Sequence, residues 1–505
     1  MDSARSPRPT LYAFMVAGSA CAAVLGFGRE ATLGALFGAS RASDAFYAAL
    51  AVPFTLAYFI VGGALAPALT ASLAGRLEGH ETDAARLLTR NSLAVIGAAG
   101  GALALLLAFA SGTIARLLVP GFSPDEARLT AVLFCELLPY GLLTALALIA
   151  AAALNAAGAY GTPVVAILAA NGVSLALLLL FGRATGIHAA AWALSAGSLL
   201  HLLISLVRLA RLGLLSRPAL THPSVPMPWR DSAVLGLSLG LAGAVDLAER
   251  LFASAAGVGA IALLAFASKL IHLPMRLFAA PLTAVAFPRL VRARRRDGAP
   301  TTREADSTAR LLLHLLLYAA AVAAGASGPL VALTMGRGRF DAASVDALSG
   351  LLLVLAPAIV AIGFVETGSK YLLAAGRTGA IAWAQAAGLA SYLLAVTILT
   401  RWGVMGLAAA RDVAWGVAAI GLMLPLLWAR KDRPTAGRLI TPFLAATASA
   451  LLASLVVRKL PGGSFVRLAV ASLIVAASFG LLSWLGHLAS TATAKAKAAA
   501  RPDES

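Results

Sequence analysis

Apolar residues run almost unbroken for about 20 positions at a time from Leu11 to the region of Ser490, the length a helix needs to cross a bilayer. The runs are continuous Ala/Leu/Val stretches and lack the short apolar–polar alternation of a membrane barrel strand. The pattern predicts fourteen spans, near 9–36, 44–74, 91–118, 128–154, 162–182, 187–208, 232–255, 258–290, 308–335, 346–372, 377–400, 403–429, 438–457 and 464–488. Turn-forming residues punctuate the breaks: Pro120 to Pro124, Gly158 to Pro163, Pro223 to Pro228, Arg337 to Phe340, and Pro461-Gly462-Gly463. No stretch between the runs is large enough for a soluble domain.

Composition agrees with this pattern. Mean hydropathy is +0.87 and charged residues make up 12% of the chain, against about 25% in soluble domains. The fold class expected is therefore an all-α polytopic membrane protein. Net charge is +18, a value that could suggest nucleic acid, but the cations gather in the short connections. Connections after even-numbered spans hold Arg76, Arg86 and Arg90; then Arg208, Arg211, Arg217 and Arg230; then Arg289, Arg292, Arg294, Arg295, Arg296 and Arg303; then Arg430, Lys431, Arg433 and Arg438. Connections after odd spans hold about half as many, the asymmetry that retains a loop in the cytoplasm. No nucleic-acid partner is expected, only membrane lipids. Both termini should be cytoplasmic, as an even span count requires. Arg5 and Arg8 precede a run that continues into Gly26-Phe27-Gly28, so that run reads as a retained span rather than a cleaved leader. Cys21 and Cys135 both fall in spans and predict neither disulfide nor metal site.

An internal repeat organises the spans. Leu154-Asn155-Ala156-Ala157-Gly158 leads through two spans to Leu209-Ala210-Arg211. Leu372-Leu373-Ala374-Ala375-Gly376 leads in the same way to Trp428-Ala429-Arg430, at an offset near 218. Leu36-Phe37 before Pro53 is echoed by Leu251-Phe252 before Pro274. The expected division is a six-helix bundle over 1–215, a second over 230–430, additional helices over 436–490 and a tail over 491–505. Parallel repeats of this kind place a substrate site between the halves, near the midplane.

Charge inside the spans marks the candidate site, because an ionised group in hydrocarbon costs at least about 2.5–3.5 kcal/mol. Arg29 follows a Gly-x-Gly break, and Asp44 opens span 2. A plain N-cap role would account for Asp44, and a pairing with Arg29 is compatible with it. Asp246, Glu249 and Arg250 share one face of span 7 at helical spacing; Lys269, His272 and Arg276 share one face of span 8, beside a kink expected at Pro274. The substrate-binding set expected is Arg29, Asp44, Glu249, Arg250, Lys269, His272 and Arg276. Glu249 and Arg250 also lie near a span end, where water would explain them. Glu136, Glu366, Lys370, Arg411 and Asp412 lie in or near the spans as well. Arg411 and Asp412 are adjacent and point in different directions, so no role is assigned to them. No Walker loop, His-Glu-x-x-His or Gly-x-Ser-x-Gly is present, and the seven histidines are scattered. The expectation is a non-enzymatic transporter without catalytic residues, metal or cofactor.

Val24-Leu25-Gly26-Phe27-Gly28-Arg29-Glu30, Leu36-Phe37-Gly38-Ala39 and Ser43-Asp44-Ala45-Phe46-Tyr47 with Pro53 closely resemble the opening of the MurJ (MviN) lipid II flippase family. Pro120-Gly121-Phe122, Leu154-Asn155, Ala267-Ser268-Lys269-Leu270 with Pro274, and Pro288-Arg289-Leu290 resemble later landmarks. The resemblance covers essentially the whole chain. It implies a bacterial inner-membrane protein of the multidrug and polysaccharide exporter superfamily, working by alternating access. The cargo it implies is an undecaprenyl-pyrophosphate-linked saccharide, carried from cytoplasmic to periplasmic leaflet. It also implies arginines around the pyrophosphate, a groove for the lipid tail on spans 13 and 14, and envelope-synthesis enzymes as neighbours. Arginine's planar fork suits such an anion.

The departures concern the cations. Ala23, Ala57 and Tyr58 stand where the family has arginine, and Ala-Asp-Arg-Leu of span 8 has become Ala267-Ser268-Lys269-Leu270. A cavity so depleted raises an exopolysaccharide repeat unit alongside the peptidoglycan precursor as cargo. Two other readings remain: a cation-coupled antiporter of the same superfamily, built on Asp44, Asp246 and Glu249, and a scaffold that no longer transports.

Overall fold

The computed structural model describes residues 9–215, 229–276, 303–374, 377–428 and 436–499. Within them there is no strand, and fourteen helices, all but one of them long, follow the predicted spans in order. They are α1 (Pro9–Phe37), α2 (Arg41–Glu78), α3 (Thr82–Phe109), α4 (Pro124–Ala156), α5 (Gly161–Thr185), α6 (His188–Arg211), α7 (Trp229–Ala253) and α8 (Ala260–Pro274). The remainder are α9 (Arg303–Gly325), α10 (Ala342–Ala374), α11 (Thr378–Leu399), α12 (Gly403–Trp428), α13 (Ala436–Lys459) and α14 (Ser464–Ala499). Among the described residues, ten helical stretches are long and apolar enough to cross a membrane, or eleven if one sharply bent pair counts as a span. One of the ten, Thr378–Met423, holds both α11 and most of α12. α7 carries Asp246, Glu249 and Arg250 close together, and the described part of span 8 is short. The second half of span 8 and the cations Arg217, Arg289 to Arg296 and Arg430 to Arg433 lie outside the described residues.

Two predicted spans end differently. Span 3 stops at Phe109, and Ser111–Leu118 forms a separate short helix. Span 9 stops at Gly325 and turns by 85° into the short helix Ser327–Thr334. Gly325 lies where any Cβ would meet the Ala450 carbonyl at 2.8 Å, so α9 approaches α13 backbone to backbone at its end. α2 is unusual in its middle, where Leu56–Leu65 winds as a π-helix behind Pro53. Proline removes one backbone donor, and a wider turn is a known response, often at functional positions.

The helices group into two compact units. One comprises residues 1–266 with 337–341 and 377–410; the other comprises 267–336, 342–376 and 411–505.

In the first unit α4 is the central helix, buried along most of its length from Thr130 to Leu154 and packed on α2, α3 and α6. Its start is fixed by a capping box: Glu126 Oε2 accepts from Ser123 N at 2.8 Å, and Ser123 Oγ accepts from Glu126 N at 3.4 Å. Leu69, Leu73, Leu88, Ile149, Leu154 and Leu209 pack into one cluster with the alanines of α4. In a bilayer, lipid is as apolar as leucine, so association rests on close packing of small residues and on interhelical hydrogen bonds. Both are present. Thr144 and Ser198 hydroxyls meet at 2.8 Å between α4 and α6, and Ser174 Oγ donates to Ala193 O at 2.8 Å between α5 and α6.

At one end of this unit four connections interlock. Arg339 N donates to Ala35 O at 2.8 Å, and Gly121 N donates to Ser254 Oγ at 3.0 Å. Gly259 (φ +81°) and Gly338 (φ +60°) hold left-handed conformations with their Cα atoms against the carbonyls of Ala39 and Ala35. A side chain at either position would be strained and would clash. In the second unit α9 packs on α10, α13 and α14, and α13 pairs with α14. Tyr318 Oη donates to Ser472 O at 3.3 Å.

Gly197 of α6 faces Ser174 and the Ala170 carbonyl of α5 too closely for any side chain. Gly197→Leu should therefore destabilise the protein by about 1–3 kcal/mol, read as a lower melting temperature in detergent. Gly101→Leu on α3, where nothing lies within 4 Å, should leave it unchanged.

Candidate functional site

Arg29 lies on α1, where neighbouring residues point in different directions, yet its side chain turns back onto the next residue. Arg29 Nη2 donates to Glu30 Oε1 at 2.8 Å, and the Tyr47 hydroxyl donates to Glu30 Oε2 at 2.5 Å. Glu30 and Tyr47 are buried, and Arg29 nearly so. Both carboxylate oxygens are thus held, one by a cation and one by a phenol from α2. Tyr140 of α4 lies close enough to act electrostatically on Arg29, as does Arg250 of α7 on Tyr47. Arg250 pairs in turn with its own neighbour, Nη1 to Glu249 Oε2 at 3.2 Å, and both side chains are buried. α1 and α7 therefore each carry a cation paired with an anion. Leaving any one without its partner would be costly, about 3–5 kcal/mol for a buried pair broken on one side.

Asp44 is fully buried in the first turn of α2. Its carboxylate accepts from Gly259 N at 2.7 Å and Ala262 N at 2.8 Å, so it caps the start of α8. The cap of α2 itself is Ser40, whose Oγ accepts from Ser43 N at 3.4 Å. The carboxylate beside Arg29 is Glu30, and that of Asp44 is engaged by α8. One negative charge on Asp44 thus lies near two helix N-termini, each with a positive dipole end. Nearby, Arg41 is held by Glu126 Oε1 at 2.9 Å and lies over the Phe122 ring at 5.3 Å.

In the second unit, Lys269, His272 and Arg276 follow one another along α8. Lys269 and His272 are half-buried, and Arg276 is exposed at the edge of the described segment. His272 Nδ1 lies 2.7 Å from Ser268 O, and its ring meets Trp415 of α12 edge-on with centroids 6.3 Å apart. Arg411 of α12 is buried and donates from Nη2 to Ser268 Oγ at 3.4 Å.

The expected residues thus fall into Arg29, Asp44, Glu249 and Arg250 in the first unit and Lys269, His272 and Arg276 in the second. Asp246, expected on the same face as Glu249 and Arg250, is only half-buried. Glu30, Tyr47 and Arg411 were missed. Glu30 had a readable signal, an acid next to an in-span arginine; the contacts of Tyr47 and Arg411 are tertiary and had none. The described residues contain no cluster of His, Cys, Asp and Glu able to hold a metal. A recess of about 350 Å³ between Phe14, Tyr160 and Arg208 includes none of the candidate residues.

Apolar helices of membrane-crossing length that shelter ion pairs within their spans define a polytopic α-helical membrane protein. The family described as lipid II flippase MurJ matches residues 33–477, most of the chain. The chain belongs to that family. It is 27% identical over 435 residues to the "Probable lipid II flippase MurJ" of Rhizobium meliloti, covering 80% of this chain and 78% of the relative. It is also 27% identical over 348 residues to the lipid II flippase MurJ of Burkholderia cenocepacia, covering 65% and 66%. Its fold is similar to a solved lipid II flippase MurJ in an inward closed conformation, with a TM-score of 0.79 at 18% identity, over 94% of this chain and 98% of the other. An outward-facing MATE-family multidrug transporter is similar at a TM-score of 0.60 and 16% identity, over 83% and 94%.

Tyr47→Phe removes one hydrogen bond to a buried carboxylate and should cost about 1.5–3 kcal/mol. Asp44→Asn presents an amide N–H to one of two backbone donors and should also lower stability. Thermal unfolding of the purified protein checks both, and unchanged melting temperatures would contradict the geometry.

Proposed function

We propose that this protein carries a polyprenyl-pyrophosphate-linked saccharide from the cytoplasmic to the periplasmic leaflet of a bacterial inner membrane by alternating access. The observation that carries this reading is Arg29, a guanidinium inside the first span and in the motif that resembles the family's opening. A charged headgroup cannot enter hydrocarbon, while its lipid tail can stay there. The headgroup therefore needs cations at membrane depth, and Arg29, Arg250 and Lys269 supply them. Asp44 is read as orienting α8, and His272 and Arg276 as flanking Lys269. The pairing of both arginines with glutamates supports an exchange: without cargo, Glu30 and Glu249 neutralise the guanidiniums, and a pyrophosphate takes their place. Arginine can bind either anion through two parallel N–H groups.

The sequence repeat supports halves over 1–215 and 230–430 that move against one another, with 436–490 appended. The cation asymmetry of the connections supports both termini in the cytoplasm. Partners on this reading are the lipid-linked glycan, the surrounding lipids and envelope-synthesis enzymes that make or use the cargo. No catalytic step by the protein itself is part of it. A cation-coupled antiporter would draw instead on the acids Asp44, Asp246 and Glu249.

The test is translocation in reconstituted vesicles of lipid II and of other polyprenyl-pyrophosphate sugars, with small organic cations as the alternative cargo. Arg29→Ala and Lys269→Ala should each slow lipid transport about tenfold or more, as the loss of a charge-assisted contact implies, while the protein still inserts. Normal lipid translocation by both variants would reject the site. Transport of organic cations in place of lipid would reject the cargo.

A further inference from the structure

Arg411 is the buried cation that the reading above leaves without a task. It sits early in α12 in a strongly apolar stretch, and arginine keeps its charge at this depth. Its guanidinium reaches α8 at Ser268 Oγ, 3.4 Å away. One turn further along both helices, Trp415 of α12 meets His272 of α8. Residues four apart on a helix share a face, so Ser268 and His272 present one face of α8 to one face of α12. His272 is fixed within that face by its own contact with the Ser268 carbonyl at 2.7 Å. Lys269 is the next residue on α8, turned about 100° from this contact face. Asp412, beside Arg411, is the acid that acts on it electrostatically.

We propose that Arg411 is a positioning residue for phosphate recognition on α8. Its hydrogen bond to Ser268 fixes the rotation of the helix, and with it the direction of the Lys269 ammonium. This rests on the reading of Lys269 as a pyrophosphate-binding cation. Serine in place of a carboxylate at position 268 is what permits the arrangement. A hydroxyl at this position accepts from the guanidinium and ties α8 to α12 beside Lys269.

The test uses the full-length protein in vesicles with lipid II as cargo, comparing KM and kcat. Arg411→Ala should raise KM about tenfold, the worth of one charge-assisted contact, with kcat largely retained. Ser268→Ala should raise KM less, and Arg411→Lys should restore part of the loss. Because Arg411 acts through Lys269, Arg411→Ala combined with Lys269→Ala should be little worse than Lys269→Ala alone. An unchanged KM in Arg411→Ala, or losses that multiply in the double variant, would overturn the proposal. Should Arg411→Ala fail to fold, Arg411→Lys and Ser268→Ala decide it, and an unchanged KM in both overturns it. Failure of the unsubstituted protein to move lipid II or any other polyprenyl-pyrophosphate sugar is a different result, which removes the function and this proposal together.

Discussion

A charge placed within a bilayer must be matched by the protein itself, since the lipid offers nothing to match it with. Two of the ion pairs in the spans of the first unit obey this locally. Arg29 is answered by Glu30 and Arg250 by Glu249, in each case by the next residue along the chain. Sequence neighbours do not face each other on a helix, so pairing them demands that long side chains curl back. Such pairs can be carried by a single helix and need no partner helix in one fixed place. A transporter whose helices must move can keep its charges satisfied in this way.

The backbone shows the same economy. Asp44 holds the amides of Gly259 and Ala262, and four connections meet at one end of the first unit through backbone contacts beside the edge-on rings of Phe340, Phe266 and Tyr47. Backbone contacts of this kind are close and directional. The π-helical middle of α2, behind Pro53, adds a segment whose own hydrogen bonding departs from the regular ladder.

Charge placement and family membership bear on function in different ways. Membership brings the expectation of a lipid-linked headgroup, and the depleted cations raise the question of what remains to bind it. Ala23, Ala57 and Tyr58 supply no charge. What the chain retains is an arginine held by a carboxylate on α1, another on α7, and a lysine on α8 next to a serine that accepts from a buried arginine of α12.

The sequence by itself determined the helices, because apolar run length and the punctuation between runs are local properties. It placed fourteen spans, the breaks at Pro120 to Pro124 and at Pro461 to Gly463, and the in-span charges Arg29, Asp44, Glu249, Arg250 and Lys269. It even held the pairs Arg29–Glu30 and Glu249–Arg250 as adjacent letters. Only tertiary structure decided what Asp44 and Arg411 do. Asp44 caps a helix that begins more than two hundred residues away, and Arg411 donates to Ser268 of a helix far behind it in the chain. The break of span 9 at Gly325, where α9 comes against the Ala450 carbonyl of α13, is likewise not legible in the sequence. Helical periodicity tells which side chains share a face, but in an Ala/Leu-rich chain every face is apolar, so composition cannot say which helix lies opposite.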